Sequence, residues 1–123
     1  MRDHTIVISP SLIVDYEVGQ TAQENHDIID TAAPTDLWFH VTGRPSCHVI
    51  AHVPEEVFGL ASKARRDALR KISKQGAVLC KRYSKYASEK NLSMDVVRVA
   101  DVTKTTIPGS VTVTDGSTTL VVI

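Results

Sequence analysis

Asp36-Leu37-Trp38-Phe39-His40-Val41-Thr42-Gly43-Arg44-Pro45-Ser46-Cys47-His48-Val49-Ile50-Ala51-His52-Val53 is the stretch that organises the chain. It reads as two short strands joined by a turn, because Gly43 and Pro45 suit a turn and neither suits a strand interior. Successive strand side chains point to opposite faces. Leu37, Phe39 and Val41 therefore share one face of the first strand, and Val49, Ala51 and Val53 share one face of the second. That face is apolar and demands a core; Cys47 should point the same way. The other face carries Asp36, Trp38 and His40, then His48, Ile50 and His52. It holds the only Trp and three of the five His, so it is either a working surface or the floor of a second layer.

Outward from this hairpin the pattern is regular. Thr5–Ile8 and Leu12–Val18 read as a hairpin around Ser9-Pro10-Ser11, with Gly19 ending the second strand. Thr21–Ile29 reads as a short helical turn with Ile28 and Ile29 inward, and Pro34 keeps the following segment a loop. Pro54-Glu55-Glu56 can open a short helix that Gly59 ends. A long helix is expected from about Lys63 to Ala87, since Leu69, Ile72, Gly76, Leu79 and Tyr83 recur at spacings of three and four. Gly76 inside it implies close approach to the sheet. Met94–Val102 reads as a strand, and Ser110–Thr114 with Thr118–Val122 as a last hairpin around Asp115-Gly116. The fold class is α+β: a mixed or antiparallel sheet of hairpins against one long basic amphipathic helix and a short one.

At 123 residues the chain should form a single domain spanning 1–123. Two Cys support neither a disulfide framework nor a zinc motif, so a reducing compartment is expected. No apolar run is long enough for a signal core or a membrane span.

The net charge of zero conceals a segregation. Lys63 to Lys90 holds ten Lys/Arg against two acids, a surplus of eight that the remainder of the chain balances. Between Arg2 and Arg44 there is no Lys or Arg, while Asp15, Glu17, Glu24, Asp27, Asp30 and Asp36 accumulate. A solvated helix usually interleaves both signs; a one-sign helix points to a polyanion. Arg65, Arg66, Arg70, Lys71, Lys74, Lys81, Arg82 and Lys85, with Arg44 and Lys104, are the candidate nucleic-acid contacts.

The residues also carry a family likeness. Asp36-Leu37-Trp38-Phe39-His40-Val41, followed by Pro45-Ser46-Cys47-His48-Val49, resembles the signature of the NFACT-R domain, as do Gly19 with Asn25 upstream and Lys104 with Pro108-Gly109-Ser110-Val111 downstream. Together these span roughly residues 13 to 123. Ser46 stands where the family has Gly, and His26 where an Asp is usual. The resemblance implies an α+β fold and a cytoplasmic RNA-binding module for tRNA or ribosomal RNA. It further implies an adaptor in translation or ribosome-associated quality control, with DNA or a protein as other partners. It is similar to the NFACT-R domain that opens certain eukaryotic coiled-coil proteins. The implied motif pocket is Asn25, Asp36, Trp38, His40 and His48, with the Asp36 carboxylate alternatively tying down a His or a turn; Phe39 and the Pro108-Gly109 pair are implied to be structural.

Other chemistries compete less well. Three His can hold a catalytic zinc, but His52 stands about 13 Å along a strand from His48 at roughly 3.3 Å per residue. Cys47 beside His48 faces the opposite way. No phosphate-loop, dinucleotide or serine-nucleophile motif occurs. No catalytic residue, metal or cofactor is therefore expected. Two alternatives stay open: a protein-interaction module using the basic helix, and a His-dependent RNA-modifying enzyme. Trp38 is either plain core or the wall of a pocket for a base or a phosphate.

Overall fold

The computed structural model describes all 123 residues. In chain order the elements are β1 (Arg2–Ser9), β2 (Leu12–Gly19), α1 (Ala22–Asp30), β3 (Leu37–Val41), β4 (His48–His52) and α2 (Ser62–Arg82). These are followed by β5 (Ser93–Arg98), β6 (Val102–Lys104), β7 (Val111–Val113) and β8 (Thr119–Val122). Single 3-10 turns at Glu55–Gly59 and Val99–Asp101 lead into α2 and β6. Six strands form one antiparallel sheet in the order β1-β2-β4-β3-β5-β8, and β6 pairs with β7 in a sheet of its own. The α+β class expected from the sequence is the one observed.

The alternation read in the central hairpin decides the layering. Leu37, Trp38 and Phe39 pair with Ala51, Ile50 and Val49. Phe39, Val41, Val49 and Ala51 face α2 and pack with Ile72, Ala77, Leu79 and Cys80 in the larger core. Trp38 and Ile50 face the other way, into a second core with Ile28 and Ile29 of α1 and with Val97, Val99 and Val102. Phe39 is completely buried, which stabilises the fold by about 2–3 kcal/mol relative to an exposed ring. Cys47 packs on the α2 side, as its parity requires, with its thiol 3.5 Å from the Cys80 carbonyl.

Three expectations change. Helix α2 stops at Arg82, not Ala87. Ser84 Oγ donates to the Lys81 carbonyl at 2.8 Å and accepts the Tyr86 amide at 3.1 Å, so a side chain takes the bonds the helix would have used. The expected strand over Met94–Val102 breaks after Arg98, because the amides of Val99 and Ala100 donate to the carbonyls of Asp36 and Pro34. That bend carries the chain from the main sheet to the second layer. The last hairpin does not form: β7 pairs with β6, and β8 pairs with β5 at the sheet edge. Asp115-Gly116 is a genuine turn, with Gly116 at φ +77, but it links two sheets.

Gly76 has the role its position suggested. A Cβ there would overlap the Phe39 ring. Gly76→Ala should therefore lower the urea midpoint at unchanged m-value, by about 1–3 kcal/mol of overpacking despite the roughly 1 kcal/mol gain in helix propensity. Adding Phe39→Leu should recover part of the loss.

Candidate nucleic-acid interface

Because α2 presses its apolar stripe into the sheet, its cations are left on the outer surface. Lys63, Arg70, Lys74 and Lys81 recur at spacings of seven and four, in one quadrant of the helix, over roughly 27 Å at 1.5 Å per residue. Lys71 and Arg82 are exposed beside this line, Arg66 flanks it, and Arg65 is half-buried. Only Arg70 has a carboxylate partner on the helix, Asp67 at 3.3 Å, in an exposed i,i+3 pair. Such a pair is worth well under 1 kcal/mol and leaves the guanidinium available. Lys81 donates to Ile123 O at 3.0 Å. The other cations of the helix, and Lys85 just beyond it, make no ion pair.

Arg44 and Lys104 do not join this rail. Arg44 makes a two-pronged contact with Glu89, at 2.9 and 3.2 Å, and lies 3.9 Å over the Tyr86 ring. It staples the β3–β4 turn to the segment after α2. Lys104 is ion-paired with Asp30 at the end of α1.

The motif residues gather on the opposite face of the sheet. Asn25, His40, His48, Ser46 and Gly109 line a shallow pocket of about 380 Å³ to which no charged side chain contributes. The larger concavity, about 520 Å³ between the β1–β2 turn, Val57 and α2, contains none of them. Trp38 does not line the pocket but packs behind His40 and His48, which do. Its ring stacks on His40 at 5.4 Å and 6°, and meets His48 edge-on at 5.2 Å. Trp38 is buried and belongs to the second core, which is the plain-core reading of it. Its Nε1 donates to His48 Nδ1 at 3.1 Å. A nitrogen that accepts carries no proton, so the neutral His48 ring bears its proton on Nε2. Burial pushes the His48 pKa down to about 3, with the neighbouring His40 and His26 acting in the same direction. Burial lowers His40 as well, partly offset by the Val41 backbone and Asp95. Both rings are neutral near pH 7.

Asn25 explains the glycine six residues before it. Its Oδ1 accepts the His48 amide at 3.1 Å, and a Cβ on Gly19 would collide with that oxygen. The Pro108-Gly109 turn seats against α1: Gly109 has φ +83, and a Cβ there would lie 3.2 Å from Ala22 Cα. His26 fixes this turn by donating from Nε2 to the Ser110 carbonyl at 2.9 Å.

Asp36 is not in the pocket. Its buried carboxylate accepts the amides of Ala33 and Val53, at 2.9 and 3.0 Å, and contacts His52 Nδ1 at 2.9 Å. The other nitrogen of His52 pairs with Glu17. His52 thus stands with carboxylates at the far end of β4, and the three hairpin His do not converge on one point. The sequence reading missed Thr21 and Ala22 at the pocket rim. The signal was present in Thr21-x-x-Glu24, a helix-start pattern whose Thr21 hydroxyl accepts the Glu24 amide at 3.1 Å.

A family model described as the NFACT protein RNA binding domain matches residues 13–120. The chain belongs to this NFACT RNA-binding domain family. Among solved structures, the C-terminal part of the fibronectin/fibrinogen-binding protein from Streptococcus suis resembles it with a TM-score of 0.69 at 20% identity, covering 89% of this chain and 41% of that one. That likeness is one of fold, and this chain spans less than half the length of that structure. No curated protein sequence matches the chain. No helix of this NFACT-R domain is long and apolar enough to cross a membrane.

The two His sites titrate with opposite signs. His48 has its folded pKa depressed to about 3 from 6.5, so its contribution is complete above pH 6.5 and is lost as pH falls toward about 3. Burial alone would lower His52, but its hydrogen bonds to Glu17 and Asp36 outweigh that and raise it above 6.5. The paired charge on His52 therefore stabilises below 6.5 and is lost as pH rises through the raised value. His52→Gln should cost more melting temperature at about pH 5 than at about pH 8. Nitrogen-15 NMR should show His48 as the neutral Nε2–H form at both.

Proposed function

We propose that this NFACT-R domain is an RNA-docking module that engages tRNA or ribosomal RNA through the outer face of α2. It would serve as a cytoplasmic adaptor in translation or ribosome-associated quality control, without catalysis of its own. Family membership gives the ligand class. The observation that carries the reading is the rail of cations on α2, nearly all without carboxylate partners. Cations already locked in ion pairs would have to break them to meet phosphate. Here Lys63, Lys71 and Lys74 are exposed and unpaired.

The expected affinity is electrostatic and salt-dependent, since each neutralised phosphate releases counterions. The triple change Lys63→Glu, Lys71→Glu and Lys74→Glu leaves the buried face of α2 untouched. In fluorescence anisotropy with tRNA it should weaken binding by more than about 30-fold near 100 mM salt, and flatten the log–log salt dependence by roughly two to three. Unchanged binding by the triple variant would sink the proposal. Loss of a co-purifying acidic protein, with RNA affinity intact, would favour the protein-interaction alternative.

A further inference from the structure

We propose that the pocket between the first turn of α1 and the His40–His48 face holds one internal phosphodiester of an RNA strand. Its grips are the amides of Ala22 and Gln23 and the Asn25 side-chain NH2. The assignment takes only the source of the phosphate from the RNA-binding reading; the donors stand on their own geometry.

The donor count is the first argument. Thr21 caps α1 and binds the Glu24 amide, while the Asn25 amide goes to the Thr21 carbonyl at 2.9 Å. The amides of Ala22 and Gln23 are left without a partner in the protein, at the positive end of the helix. Asn25 and His48 are both more than nine-tenths buried. Each spends its acceptor internally, Asn25 Oδ1 on the His48 amide and His48 Nδ1 on Trp38. His48 Nε2–H is turned to the Asn25 backbone; Asn25 Nδ2 is a donor left over with no partner in the protein. No fully buried side-chain nitrogen or oxygen lacks a partner, so Asn25 Nδ2 must reach solvent, and the pocket is the space Asn25 lines.

The second argument is what the pocket lacks. Several of the acceptors around it are already engaged: Thr21 Oγ1 by the Glu24 amide, Ser46 Oγ by the Val41 amide at 3.1 Å, and the Ser110 carbonyl by His26. A base edge presents donors as well as acceptors and needs both kinds in return. A phosphate presents acceptors only. Glu24, the carboxylate on that first turn, folds back to the Gln20 amide at 3.1 Å and to the Met1 ammonium at 2.7 Å.

Charge and shape then choose the diester. Every donor is neutral, which suits one negative charge better than the two of a terminal monoester near pH 7. The pocket is shallow, so a strand can enter and leave it.

The test follows the backbone and side-chain amides of the nitrogen-15-labelled chain during titration with a hexaribonucleotide bearing hydroxyl ends, and separately with inorganic phosphate. Saturable shifts at Ala22, Gln23 and the Asn25 NH2 are expected with both probes, and phosphate should displace the oligonucleotide from these resonances. Asn25→Asp keeps the Oδ1 acceptor but removes the donor and adds a charge. It should abolish the pocket shifts with either probe and weaken oligonucleotide binding roughly tenfold, with the Trp38 Nε1–H resonance unmoved as proof of intact packing behind His48. If the oligonucleotide shifts only α2 amides and phosphate shifts nothing in wild type, the pocket assignment fails while the rail stands. If pocket amides respond and α2 does not, the rail fails and the pocket stands. Pocket shifts with inorganic phosphate but none with the hydroxyl-ended oligonucleotide would overturn the diester assignment.

Discussion

Strand β3 is buried on both faces, and the rest of the molecule follows from that constraint. Phe39 and Trp38 are neighbours in sequence and occupy different cores. The Phe39 side must admit a helix at very short range, which is why Gly76 sits under the ring. Tyr16 fastens the same contact: its buried hydroxyl donates to the Ile72 carbonyl at 2.8 Å. Burial pushes that phenol well above its ordinary pKa, so it remains a donor at any physiological pH. A helix held this closely has no freedom to turn its cations inward. The charge segregation seen in the sequence therefore becomes segregation in space.

The Trp38 side is closed less completely. Helix α1 and the segment Val99–Val102 cover Trp38, Ile50 and Val97, and leave His40 and Asn25 at the rim. The two ends of this face are organised by different chemistry. At the end near Val53, Asp36 accepts two amides and a His nitrogen, and its own carbonyl accepts the Val99 amide that turns the chain into the second layer. At the other end the partners are neutral: indole to imidazole, amide to amide. Carboxylates gather where structure must be tied down and are missing where the pocket opens.

The central hairpin, the first hairpin, both helices and the reason for Gly76 were legible because period-2 and period-3.6 patterns report burial directly. The end of α2 was not, because Ser84 ends it through side-chain bonds that composition does not display. The last hairpin was misread because Asp115-Gly116 is a strong local turn signal, while the pairing of β7 and β8 is decided by partners far away in sequence. At the site, Asn25, His40 and His48 were legible through the family likeness. Of the two roles open to Asp36, the structure shows the second: its carboxylate ties down His52 and the amides of Ala33 and Val53. Arg44 and Lys104 were counted as free because pairing with Glu89 and Asp30 is invisible until the chain is folded.

Rail and pocket lie on opposite faces of the sheet, so they cannot grip one phosphate together, and their chemistries differ. Freely rotating ammonium groups attract a polyanion over a Debye length of about 8–10 Å but fix no register on it. Aimed neutral donors reach one group only, and hold it in one orientation. The β3–β4 turn links the pocket to α2. Ser46 lines the pocket, and its Oγ lies 4.0 Å from Cys80 Sγ near the end of α2. Lys81 and Arg82 follow Cys80 in sequence, but Lys81 reaches the Ile123 carbonyl, which does not line the pocket. Neutral donors would suit a pocket that holds one group, because a cation inside it would bind any phosphate wherever it lay, and the register set by position would be lost.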